Sequence, residues 1–348
     1  MKTHHLKLTA LSPIHIGTGK DYELTNYVML AEKDRSGNAI KKLFEFDEIS
    51  FYKELNENDK KEFMKFASDS SPYAIFKLYR FIHDRAQIAR GISFNSVRVA
   101  DKVYNKYKEG IGQVVQKESG NKSVFNKFAI GRTYRTPNNH QAVLPGSSIK
   151  GSISTAYQEA LYKERRDYND VKKRMLELDN SNLFKNFLIS DALPIKYGDV
   201  VNYAVNKKRN KETRREPMET ILEFIAPDSE FKTTVVCKEQ LDFGAISKSC
   251  NDHYMPIFQS QFDTESDEFT KQALSDSFIK DYENWKPKQN QFLIRVGKHS
   301  GARAVTVDGV REIKIRTGSG REKTEDQETT IWLTYNRPFG WLLCEVIE

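Results

Sequence analysis

Leu144-Pro145-Gly146-Ser147-Ser148-Ile149-Lys150-Gly151 decides how this chain is read. The proline fixes the entry of a helix, Gly146 allows close backbone approach, and Ser147 or Ser148 offers a capping oxygen. Downstream, Ile149, Ile153, Ala156, Tyr157, Ala160 and Leu161 recur at helical spacing, so a helix is predicted to about residue 166. Such a helix start aims unpaired N–H groups and a positive dipole at an anion, and Lys150 adds a cation in the first turn. An ordinary capped helix carries the same signature, so both readings stand.

On the N-terminal side, Leu6, Leu8 and Ala10 alternate with Lys7 and Thr9, which predicts a strand over residues 3–11. Pro13 and the Gly17-Thr18-Gly19 turn end it. Strands are predicted at 27–31 and 42–46, then helices over 47–66 and 71–90. Residues 91–140 lose periodicity and read as a basic, partly mobile insertion. Beyond the central helix, strands are expected at 187–192, 200–205, 218–225 and 231–237. A polar stretch, a helix over 267–285 and strands at 292–296, 304–307, 331–335 and 341–347 complete the pattern. Strands and helices alternate without a strict βαβ rhythm, which favours an α+β fold over a doubly wound sheet.

The 348 residues carry 55 Lys/Arg against 48 Asp/Glu, a net charge of +7. Residues 90–150 hold 11 basic and 3 acidic side chains, and residues 286–323 hold 10 and 3, so the rest of the chain is net acidic. Concentrated excess of this kind suits a polyanionic partner. The hairpin between 200 and 225 has a tip with Lys207, Lys208, Arg209, Lys211, Arg214 and Arg215 against Glu212. Aromatic residues interleave with the basic patches: Phe94, Tyr104, Tyr107, Phe125, Phe128 and Tyr134 in the first, Trp285 and Phe292 in the second. Rings on such a surface stack on unpaired bases, whereas rings in a core do not.

Other function classes find little support. No apolar run is long enough to span a bilayer, and residues 1–17 lack the apolar core of a secretory signal. Three cysteines, Cys237, Cys250 and Cys344, make no disulfide framework, and a reducing cytoplasm is the simplest compartment. Gly17-Thr18-Gly19-Lys20 is not a nucleotide loop: Ile14 stands where a Walker A glycine is needed, Asp21 follows the lysine, and Tyr22 breaks GxGxxG. It reads as a glycine turn whose backbone lies open to an RNA strand. Cys250 and His253 form half of a zinc pattern with no second half, so no metal or other cofactor is expected. His15, beside the glycine turn, is the best-placed general base, although a structural role is the plainer reading of it. Asp21, Glu23 and Asp47 read as solvated acids, or as ligands of a Mg²⁺ held against RNA.

Leu11-Ser12-Pro13-Ile14-His15-Ile16-Gly17-Thr18-Gly19 resembles the N-terminal signature of the RAMP superfamily of CRISPR proteins, and Leu144–Gly151 resembles its second signature. Ile294-Arg295-Val296-Gly297-Lys298-His299-Ser300-Gly301 and Pro338-Phe339-Gly340-Trp341 look most like the fifth-subunit family of the type III-A Csm effector complex. The resemblance implies modified ferredoxin-like (RRM-like) units with helical and basic insertions and a protruding β-hairpin thumb. It implies a core domain over 1–235, with an insertion at about 50–140 and the thumb at about 200–222, and a second domain over 236–348. The implied role is to cap the 3′ part of the crRNA, to support 3′-end maturation with host nucleases doing the cutting, and to engage complementary target RNA. Implied partners are the backbone RAMP subunit and the small helical subunit. No catalytic residue is implied. The RNA-binding set it suggests is Gly17, Thr18, Gly19, Lys20, Arg132, Arg135, Ser147, Ser148, Lys150, Gly151, Lys207, Lys208, Arg209, Arg214, Arg215, Arg295, Lys298, His299 and Arg303. Two rival readings are a metal-independent endoribonuclease of CRISPR repeat RNA using His15, and a RAMP subunit of the related Cmr complex.

Overall fold

A computed structural model describes residues 1–71, 74–111, 116–117, 123–124, 128–176, 182–208, 217–238, 241–262, 273–316, 322–325, 328 and 330–347. The fold is α+β, with a six-stranded and a nine-stranded sheet. In the first, Lys2–Ala10 lies between Glu230–Cys237 and Trp341–Val346, and Gln291–Arg295 pairs on the far side of Trp341–Val346. Alternation along Lys2–Ala10 buries Leu6, Leu8 and Ala10, as the period-two pattern demands. The buried face takes the helices Gly146–Arg165 and Phe243–Gln259, whose Ile149, Ile153, Ala156, Ile246, Cys250 and Tyr254 join one core with Phe292, Leu342 and Cys344. Phe258 anchors this core edge-on against Trp341, with ring centroids 4.9 Å apart, a geometry that aromatic quadrupoles favour.

The second sheet runs Gly17–Tyr22, Ile130–Thr133, Met218–Ile225, Asp199–Lys208, Asn95–Val99, Ala39–Glu45 and Tyr27–Lys33. Thr330–Thr334 pairs on the outer half of Asp199–Lys208. The described residues of 91–140 are therefore no loose insertion: they supply two strands of this sheet, and the helix Asp101–Gly110 closes its core with Val103 and Tyr107. Tyr27, Met29 and Leu43 face that core, whereas Val28 and Phe44 face a second one built with Phe51, Leu55, Leu78, Phe81 and Ile82. The expected helix over 47–66 is two, Glu48–Glu54 and Glu57–Ala67, because Asn56 restarts the chain by capping Asn58 and Asp59 N–H groups.

Among the described residues of the C-terminal half, two elements differ in kind from expectation. Phe243–Gln259 is a helix where only a polar stretch was anticipated, and the strand expected at 304–307 is a 3₁₀ turn, Arg303–Val305. The division expected at 235/236 falls inside the strand Glu230–Cys237, and strands from both sides of it share one sheet. Two segments cross between the sheets side by side. Lys2–Ala10 passes through Leu11–Ile16 to Gly17–Tyr22, and Met218–Ile225 turns into Glu230–Cys237. A two-way bond pair at the crossing ties them, Ile14 N to Ile225 O at 3.0 Å and Ile225 N to Ile14 O at 2.8 Å.

Candidate nucleic-acid interface

The crossing builds a cleft of about 530 Å³ lined by His15, Ile16, Gly17, Gly19, Lys20, Asp21, Gly131, Arg132, Gly297 and Lys298. Its first wall is the strand Gly17–Tyr22, which pairs with Ile130–Thr133 but shifts register between Gly17 and Asp21. The bulge pushes Thr18, Gly19 and Lys20 into solvent, with Gly19 at φ +76°, a conformation glycine adopts without cost. Thr18 Oγ1 steadies it by accepting from Lys20 N at 3.1 Å. The second wall is the turn at Gly297, φ +83°, where an added Cβ would land against the His15 carbonyl. Lys298 N donates to that carbonyl at 2.8 Å. Two loops far apart in sequence thus bring the exposed Lys20 and Lys298 to one opening.

His15 forms the floor, with 2% of its surface exposed. Its Nδ1 lies 2.6 Å from the Glu223 carbonyl oxygen. That oxygen only accepts, so Nδ1 carries the proton and Nε2 keeps a lone pair. Burial first, and the Lys298 charge further, lower the imidazole's pKa below its ordinary value, so the ring is neutral at neutral pH. Arg132 stands at the rim over the Tyr22 ring, and its Nη2 pairs with Glu45 at 2.6 Å.

Other residues of the expected RNA-binding set are placed differently. The Arg135 side chain is buried, its guanidinium clasped by Glu223 and Asp199 with the His140 carbonyl, and Glu223, fully buried, also accepts from Tyr22 Oη and Thr133 N. Arg295 is buried too, donating to the Phe339 carbonyl at 2.9 Å over the Trp341 ring. Both are internal struts, shut off from a solvent-side phosphate. At the start of Gly146–Arg165 neither serine caps. Asp191 Oδ1 accepts from Gly146 N at 2.7 Å, so a carboxylate already occupies the positive end expected to hold phosphate. Gly146 is needed because a Cβ would lie 2.6 Å from the Ile189 carbonyl. Lys150 turns back to donate to the Phe187 carbonyl at 2.6 Å, and burial lowers its pKa. Ser147 and Gly151 are exposed and Ser148 is half-buried.

His299 packs at a tilt against Trp332, with ring centroids 4.1 Å apart, and against Phe339, and burial, with Lys298 beside it, takes its pKa to about 4. Arg303 donates to Ser260 Oγ at 3.2 Å. Lys207 and Lys208 lie on the hairpin strand beside Ile331 and Thr330. Arg209, Arg214 and Arg215 fall outside the described residues, as does Phe125. The aromatic interleaving is mostly core: Tyr107, Phe128 and Phe292 are buried, and Phe94 is exposed. Sequence reasoning omitted Gly131 and Gly297 from the site, and left Asp21 and His15 outside the binding set. Among the described residues no group of three or more His, Cys, Asp or Glu side chains is arranged to hold a metal ion, and no helix is long and apolar enough to cross a membrane.

No curated protein sequence matches this chain. Among the solved structures similar to it, two align with it almost end to end. One is a chain of a Csm–crRNA–target RNA ternary complex of a type III-A CRISPR-Cas system, with 16% identity, TM-score 0.61, and coverage of 99% of this chain and 100% of that one. The other is T. onnurineus Csm5, with 14% identity, TM-score 0.53, and coverage of 97% and 99%. The RAMP superfamily model matches residues 7–298, the span that holds both signatures and every residue lining the cleft. The chain belongs to the RAMP superfamily.

Proposed function

We propose that this chain is a non-catalytic RNA-binding subunit of a type III-A Csm ribonucleoprotein. It caps the 3′ part of the crRNA, supports maturation of that end, and engages target RNA in antiviral defence. The observation that carries the reading is the cleft, where an open glycine backbone and the ammonium groups of Lys20 and Lys298 face solvent together. Amide N–H groups and lysines track phosphates without reading sequence, which suits a subunit whose partner RNA changes with every spacer. The full-length likeness to a chain of a Csm–crRNA–target RNA complex supports the same assignment. The hairpin Asp199–Lys208 and Met218–Ile225, braced by Thr330–Thr334, is the thumb that enters between guide and target. The backbone RAMP subunit and the small helical subunit are its protein neighbours, with host nucleases recruited for trimming.

A second reading has one observation behind it: His15 presents a neutral Nε2 toward the cleft, as the base of a metal-independent ribonuclease would. Its environment argues against that chemistry. Proton uptake would create a buried imidazolium whose Nδ1 partner is an uncharged carbonyl, with Lys298 adding repulsion.

Both readings meet one experiment. The tagged chain is purified from its host at low salt, co-purifying proteins are identified by mass, and bound RNA is sequenced. Short spacer-bearing RNAs with other Csm subunits are expected. Freshly cut repeat RNA without partners would replace the proposal with the nuclease.

A further inference from the structure

We propose that His15 is the residue through which this chain distinguishes ribose from deoxyribose, its Nε2 accepting a hydrogen bond from a 2′-hydroxyl of the strand in the cleft. The inference rests on the RNA-binding reading above and adds to it a site and a sugar chemistry.

The tautomer is fixed by the fold. The Glu223 carbonyl accepts a hydrogen bond from Nδ1–H, so Nε2 can only accept. Among the described residues nothing bonds Nε2, although His15 is 2% exposed and lines the cleft. An acceptor at the floor of an open cleft, with no protein donor on it, is matched by a donor arriving from the open side. Two glycines keep that side open. A Cβ on Gly17 would lie 3.1 Å from His15 Nε2, and one on Gly131 would lie 3.7 Å from His15 Cε1. The cations around the rim, Lys20, Lys298 and Arg132, are donors only. They suit the phosphates on either side of a ribose and cannot accept its hydroxyl proton. A 2′-hydroxyl supplies the missing donor, and deoxyribose has none. Asp21 is the other acceptor at the rim, and the test separates it from His15.

Binding of the full chain is measured at one salt concentration to a single-stranded uridine polymer, its 2′-deoxy counterpart and its 2′-fluoro counterpart. Fluorine keeps the RNA-like sugar pucker and cannot donate. The hydroxyl strand should bind roughly fivefold tighter for one engaged contact, the scale of one net hydrogen bond, and the fluoro strand should fall with the deoxy strand. His15→Asn keeps an N–H facing the Glu223 carbonyl and deletes the Nε2 acceptor. It should erase the hydroxyl advantage, read as the ratio of hydroxyl-strand to deoxy-strand affinity. His15→Gln, which returns an acceptor near the Nε2 position, should recover part of the advantage. Equal binding of all three strands by the unmodified chain overturns the inference and leaves RNA binding intact. So does an unchanged ratio in His15→Asn, or loss of the ratio in Asp21→Ala instead. Failure to bind any strand overturns the RNA-binding reading and this inference with it.

Discussion

Removing both cleft lysines, Lys20→Ala with Lys298→Ala, tests whether the cleft is where the RNA backbone lies. Both side chains are exposed at one opening, so each deletion removes one phosphate contact with little loss of packing. On single strands each neutralised phosphate contributes about −0.7 to the slope of log K against log salt. The double variant should therefore flatten that slope by about 1.4. Between 50 and 200 mM salt this amounts to a roughly sevenfold smaller loss of affinity. Fluorescence anisotropy of labelled crRNA, titrated at several salt concentrations, reads it directly. Lys150→Ala is the internal control. Its ammonium is bonded to the Phe187 carbonyl, so its removal should leave the slope unchanged. A slope that is insensitive to the double variant and sensitive to Lys150 would refute the placement and return the phosphate path to the helix start.

Arg135→Ala strands Glu223 as a fully buried carboxylate. A loss of about 3–5 kcal/mol in urea unfolding is expected, and a change below about 1 kcal/mol would contradict the strut. Glu159 takes hydrogen bonds from His253, Lys163 and Asp308 N. Burial opposes its charge, yet these partners prevail and hold its pKa at about 2. Its folded pKa is depressed, so its contribution, roughly 3 kcal/mol, is complete above its unfolded value and lost as pH falls toward 2. Glu159→Gln should flatten the acid limb of a Tm–pH profile, and an unchanged limb would count against the pair. Gly297→Ala, at φ +83° and against the His15 carbonyl, should cost about 1–3 kcal/mol and weaken RNA binding together. A Tm equal to the parent's would show that the turn does not need glycine.

Local periodicity made the frame legible. The alternation at Leu6, Leu8 and Ala10 and the stripe Ile149, Ile153, Ala156 each reach one side of the same core. Phe243–Gln259 also carries a stripe, Phe243, Ile246, Cys250, Tyr254 and Ile257. Serines, lysine and Pro256 dilute it enough to read as polar. Asn95–Val99 and Ile130–Thr133 are short strands set by their neighbours in the sheet, so no window of sequence announces them. At the site, Gly17, Lys20 and Lys298 were visible as types, but their meeting depends on Gly297 lying on the His15 carbonyl, a contact without local signal. Arg135 and Arg295 were taken for phosphate ligands because sequence displays charge and hides burial. The carboxylates that claim Arg135 stand 64 and 88 residues away.

The central position of Trp341–Val346 has a consequence for biosynthesis. Lys2–Ala10 gains its second neighbour only when that strand exists, and Trp341 N then donates to Ser12 Oγ across 329 residues of separation. Closing so long a loop is slow, and until it closes the first strand presents a bare edge that invites mispairing. The same closure sets Gly340 N on the Pro13 carbonyl, next to the floor of the cleft. A ribosome-bound chain stalled short of residue 341 would thus leave the Lys2–Ala10 edge and Ser12 without these bonds.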